Sequence, residues 1–228
     1  MVLVLYSQTL STVVDNSFGH VVTASLICLP ASLLIARLMV PGDSPTGAQS
    51  DARELRYESS TDALVRGTFD GLQLFLAVIA ILLVVFALVA LVNHMLGVLP
   101  EVAGAPLTLQ RMFGWLFAPL MWLIGVPWSE AVNAGSLMGV KAILNEYVAY
   151  RELAAGSAGA FSPRSTLILT YAMCGFANLA SIGLSISTLT TLAPERRKEI
   201  LSLGFRSWIS GNLATAMIGA VVGVITWS

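Results

Sequence analysis

The chain has 228 residues, of which 56% are hydrophobic and 11% charged, with a mean hydropathy of +0.81. Soluble domains carry about 25% charged residues, so this chain has too little charge to cover a water-facing surface and reads as an all-α polytopic membrane protein. Its net charge of -1 excludes the basic footprint that nucleic-acid binding requires.

The first stretch, MVLVLYSQTLSTVV, is apolar until Asp15 and Asn16. As a helix these 14 residues cover roughly 21 Å, short of a hydrocarbon core of about 30 Å, so they read as a partial span. The stretch lacks the basic n-region of a secretory signal. The chain is therefore expected to begin partway through a larger fold. The first full span follows and closes the segment 1–40. Pro30 sits in its middle, where a proline removes a backbone donor and kinks the helix, and Arg37 lies near its end, where a long side chain reaches the interface.

Residues 41–68 mix Pro, Gly, Ser and charges without an apolar period and read as an aqueous loop carrying Arg53, Arg56 and Arg66. Residues 69–97 form the strongest spanning signal, with AVIAILLVVFALVALV at its heart. His94 near its end has two readings, an interfacial residue or a proton relay, and the first is commoner. Residues 107–125 are apolar and aromatic but interrupted by Gln110, Arg111 and Pro119, and with Trp115 and Trp122 they read as an interfacial helix.

In residues 126–155 a lipid-exposed span would bury Glu130, Asn133, Lys141, Asn145 and Glu146 together, a cost an isolated helix does not bear. Either the core of this stretch, GSLMGVKAILNEYVAY, lies at the membrane surface as an amphipathic helix, or the segment is a re-entrant hairpin broken at Gly135 and Gly139. The polar load favours the hairpin. Lys141 and Asn145, four apart, share a helical face, whereas Lys141 and Glu146 do not form the usual i,i+4 pair. Ser162-Pro163 starts the segment 162–192, whose middle, CGFANLASIGLS, gathers Gly175, Asn178, Ser181 and Gly183 where a span should be most apolar. That pattern marks a discontinuous helix whose half-helix ends form a midplane site; the alternative is polar residues joining helices.

The basic turn APERRKE precedes a final span over 199–227, along which Ser207, Gly211, Thr215, Gly219 and Gly223 recur every four residues as a face for close helix packing. Basic loops 42–67 and 193–199 belong on the cytoplasmic side, which requires an even number of crossings between them. That holds if 107–125 and the hairpin both stay out of the crossing count, and equally if both cross. The count expected is about four full spans besides the N-terminal partial span. Cys28 and Cys174 lie in apolar segments without metal-site spacing and read as buried thiols. No HExxH or GxSxG occurs, and His20 and His94 are the only imidazoles, so no enzyme is indicated.

The stretches GVPWSEAVNAGSLMGVKAILNEYVAY and TYAMCGFANLASIGLSISTLTTLAPERR, with TASLICLPASLLIARLMVPGD before them, resemble the concentrative nucleoside transporter family over essentially the whole chain. The resemblance implies a cation-coupled nucleoside symporter of the inner membrane, built from inverted repeats, assembled as a homotrimer and moved by an elevator-like transport domain. In the family's N-E-[FY]-V-A-Y motif the glutamate bonds the ribose hydroxyls, which implies that role for Glu146, with Asn145 beside it. In its G-F-A-N-x-x-S motif the aromatic meets the base while the asparagine and serine bind the ribose, implying Phe176, Asn178 and Ser181. The family's first hairpin, with its G-Q-T-E motif, does not occur in this sequence, nor do the scaffold helices before it. The resemblance thus implies the C-terminal half of the fold, with no cofactor and no metal ligands of its own, the site for coupling Na+ or H+ lying in the other half. The second reading is a non-transporting truncated fragment or a partner subunit that needs a separate N-terminal half.

Overall fold

The computed structural model describes residues 2–42, 58–102, 104–157 and 159–226, and among these every regular element is helical. In chain order they are α1 (Val2–Leu10), α2 (Ser17–Met39), α3 (Ser60–Leu96), α4 (Leu109–Leu123), α5 (Trp128–Ile143), α6 (Glu146–Ala155), α7 (Pro163–Met173), α8 (Leu179–Leu192) and, after a short 3-10 turn at Pro194–Arg196, α9 (Arg197–Ile225). Two helical stretches among the described residues, Ser17–Met39 and Pro194–Ile225, are long and apolar enough to cross a membrane.

Several boundaries differ from those the sequence suggests. The partial span stops at Leu10, and Asn16 turns the chain into α2 in the left-handed region at φ 48°. α2 runs through Pro30 as one element. α3 starts at Ser60, inside the stretch read as loop 41–68, because Ser59 accepts a hydrogen bond from the Asp62 amide and Asp62 pairs with Arg66 at 2.8 Å. A serine cap followed by an i,i+4 ion pair starts a helix in a polar sequence as readily as in an apolar one. At 37 residues α3 is about 55 Å long. The loop residues 43–57, with Arg53 and Arg56, lie outside the described residues.

Gly135 and Gly139 do not break the hairpin segment, since α5 runs unbroken through both. They serve close approach to α4: a Cβ on Gly135 would fall on the Gly114 carbonyl oxygen, and one on Gly139 would fall on Phe113. Small residues at these points let two backbones meet. The break comes later, at Leu144 and Asn145, where Leu144 has ψ −87° and Asn145 is fully extended. Asn145 then caps α6 by accepting from the Val148 amide at 2.9 Å. From α6 the chain returns to the start of α5, where the Ser162 amide donates to Glu130 Oε1 at 3.3 Å. α5 and α6 thus fold back on each other.

The 162–192 segment is two helices separated by the non-helical residues 174–177. α9 runs antiparallel past both in a single register. Along this register Gly204 faces Ile186, Gly211 faces Ala177, Thr215 faces Gly175, and Gly219 and Gly223 face Ala172 and Ile168. At the far end Arg164 donates to the carbonyls of Gly125 (2.5 Å), Gly223 (2.7 Å) and Thr226 (3.2 Å), tying the α4–α5 turn to the end of α9. Leu137, Met138, Tyr150, Ile168, Leu169, Met173 and Ile218 are fully buried, which places the core where α5, α6, α7 and α9 meet, next to the two breaks.

Candidate functional site

Glu146 is the first residue of α6, immediately after the Leu144–Asn145 break, and is 2% exposed. A buried carboxylate has to be hydrogen-bonded or paired to persist. Here Tyr6 donates its hydroxyl to Oε1 at 2.5 Å, and Asn178 donates from Nδ2 to Oε2 at 3.3 Å. The N-terminus of α6 adds a favourable dipole. Each carboxylate oxygen has a further lone pair, so Glu146 retains capacity to accept from a ligand.

Asn178 belongs to the second break. Its Oδ1 accepts from the Ser181 amide at 2.8 Å, while Ser181 Oγ accepts from the Asn178 amide at 3.1 Å, a reciprocal cap on α8. Ser181 also donates its hydroxyl to the Asn178 carbonyl at 2.6 Å. Phe176 projects from the non-helical residues and is 65% exposed. Asn145, Glu146, Phe176, Asn178 and Ser181 all line one cavity of about 400 Å³, together with Tyr6 and Tyr147 and an aliphatic wall of Val2, Leu5, Leu82 and Leu184. The volume is in the range of small-molecule sites.

Tyr6 is absent from the sequence reading. It lies 140 positions before Glu146, and its only local signal is a lone aromatic hydroxyl in an aliphatic stretch. Its ring stacks on Tyr147 at 6.5 Å and meets Tyr150 edge-on at 5.3 Å. Lys141 and Asn145 do not share a face, because the break falls between them. Asn145 turns to cap α6, and Lys141 donates instead to Asn212 Oδ1 and Thr215 Oγ1 on α9, each at 3.0 Å. His94 is exposed in the last turn of α3 and does not line the cavity.

The arrangement offers a carboxylate acceptor, an amide, a hydroxyl and an exposed aromatic ring around one space. That set suits a ligand with adjacent hydroxyl donors and a flat ring, since hydroxyls donating to a carboxylate make the stronger, charge-assisted kind of hydrogen bond. Among the described residues no three His, Cys, Asp or Glu side chains converge as a metal site would require.

Residues 20–223 match the family described as Na+ dependent nucleoside transporter C-terminus. The chain is 39% identical over 210 residues to the uncharacterized transporter YutK of Bacillus subtilis, covering 90% of this chain and 52% of that protein. It is 32% identical over 210 residues to the nucleoside permease NupC of Helicobacter pylori, covering 90% and 50%. Its fold is similar to the solved structure of CNTnw in an inward-facing substrate-bound state, with a TM-score of 0.77, 38% identity, and 92% and 51% of the two chains covered. The chain therefore spans about half the length of these relatives.

Proposed function

The chain belongs to the Na+ dependent nucleoside transporter C-terminal family, a family of transporters rather than enzymes, and from that premise we propose that it supplies the ribose-binding part of a nucleoside symporter. The observation that carries the proposal is the Glu146 carboxylate, buried at one helix break and hydrogen-bonded to Asn178 at the other, beside the cavity that Phe176 and Ser181 also line. In this reading Glu146 and Asn178 receive the ribose hydroxyls, Ser181 and Asn145 flank them, and Phe176 meets the base. A carboxylate in this position distinguishes a nucleoside from a free base, which has no vicinal hydroxyls to offer.

Coupling to Na+ or H+, a homotrimer, an inner-membrane location with loops 42–67 and 193–199 facing the cytoplasm, and an inverted-repeat architecture with 126–155 as a re-entrant hairpin belong to the same proposal. The family match and the low charge content support it. Titration of the purified protein with uridine tests the site. Saturable binding that Glu146→Gln weakens by roughly 10- to 100-fold supports the proposal, and binding unchanged in that variant overturns the role of Glu146.

In a second reading these residues bind a nucleoside but transport it only together with an N-terminal half, as they span about half the length of the relatives. Uridine uptake into liposomes containing this chain alone overturns it. Binding without uptake supports it.

A further inference from the structure

Lys141 is fully buried on α5, yet neither of its two hydrogen-bond acceptors, Asn212 and Thr215, is charged. An ammonium group at 0% exposure without an acidic hydrogen-bond partner among the described residues is costly, so its retention needs a reason. Its surroundings supply one. Asn212 passes the contact onward by donating from Nδ2 to the Ala177 carbonyl at 3.0 Å, inside the second break. Beside Lys141, the Ala142 carbonyl accepts from Trp208 Nε1 at 3.0 Å, just ahead of the first break. Thr215 also sits against Gly175, where a Cβ would collide with its methyl group. One face of α9, carrying Trp208, Asn212 and Thr215, therefore holds the approach to one break and the backbone of the other, with Lys141 at the junction.

We propose that Lys141 is a positioning residue for the ligand site: by fixing both breaks on α9 it holds Glu146, the residue that follows the first break, where it receives the ligand hydroxyls. The proposal rests on the nucleoside reading above. A lysine that serves packing alone weakens every ligand equally when replaced. A lysine that acts through Glu146 weakens only ligands whose hydroxyls Glu146 receives.

The test compares uridine with 2′,3′-dideoxyuridine in titrations of the purified protein. Lys141→Met is expected to weaken uridine about tenfold, as loss of a charge-assisted hydrogen bond does, and to leave the dideoxy analogue within about twofold. Combined with Glu146→Gln, it is expected to add no further loss for uridine. Equal losses for both ligands, or additive losses in the double variant, overturn the proposal. Should Lys141→Met fail to fold, Thr215→Val removes one acceptor from the ammonium at nearly constant volume. A uridine-selective loss of about threefold in that variant supports the proposal, and the absence of any selective loss overturns it. Failure of the unaltered protein to bind uridine overturns the nucleoside reading itself, whereas uridine binding with uniform losses overturns only the role of Lys141.

Discussion

Asn178 and Glu146 join the two helix breaks directly: the asparagine amide donates to the carboxylate at 3.3 Å while its carbonyl oxygen caps α8 through the Ser181 amide at 2.8 Å. One side chain thus has a structural end and a site-facing end. The two are separable because serine keeps the first and lacks the second.

Asn178→Ser and Asn178→Ala both remove a donor from the buried Glu146 carboxylate and are both expected to lose about 1–3 kcal/mol of stability on that account. Asn178→Ala is expected to lose about 1 kcal/mol more than Asn178→Ser, since serine is as good a cap as asparagine and alanine is none. In both variants uridine binding weakens, because Glu146 loses its orienting donor. Thermal unfolding in detergent alongside uridine titration separates the effects, and full affinity in Asn178→Ser speaks against the site-facing role.

Replacing Glu146 by glutamine keeps the shape and removes the charge. Loss of charge-assisted hydrogen bonds worth about 1.5–3 kcal/mol predicts binding of uridine weaker by roughly 10- to 100-fold. Binding of the 2′,3′-dideoxy analogue is expected to change far less. Titration calorimetry with the two ligands decides it.

Tyr6→Phe retains the ring contacts with Tyr147 and Tyr150 and deletes the hydroxyl that donates to Glu146. A buried carboxylate that loses a donor costs about 1–3 kcal/mol, so the variant unfolds at a lower temperature. A midpoint equal to that of the unaltered protein is the contrary result.

Gly135→Ala is expected to be destabilising by about 1–3 kcal/mol, as overpacking is, because the new Cβ would meet the Gly114 carbonyl oxygen and backbone atoms of α4 rather than a movable side chain. Gly71→Ala on α3 is the internal control. Nothing lies within 4 Å of its Cβ, and alanine has the higher helix propensity, so it is neutral or stabilising by up to about 1 kcal/mol. Parallel melting curves check the contrast.

How far the sequence reached depends on whether a signal was local. The second break was legible because Gly175, Asn178, Ser181 and Gly183 place small and polar groups in the middle of an apolar run, and helix formation does fail at 174–177. The first break was displaced. Glycine reads as a helix breaker, so Gly135 and Gly139 drew it, yet in α5 they serve contact with α4, and the interruption falls at Leu144 and Asn145. The start of α3 was hidden by the polar sequence around the Ser59 cap. Tyr6 and the destination of Lys141 were out of reach for another reason, since both depend on partners 140 and more than 70 positions away. Pairings at such separation are set by the packing of whole helices, which no window of sequence contains.

The unbroken register of α9 against α7, the intervening residues and α8 has a mechanical consequence. An interrupted helix is ordinarily the natural place for a chain to bend. Here a continuous rod lies along the interruption and meets it at two points, Gly211 against Ala177 and Thr215 against Gly175. The notch is splinted. Bending at the break therefore requires α9 either to bend with it or to part from Gly175 and Ala177.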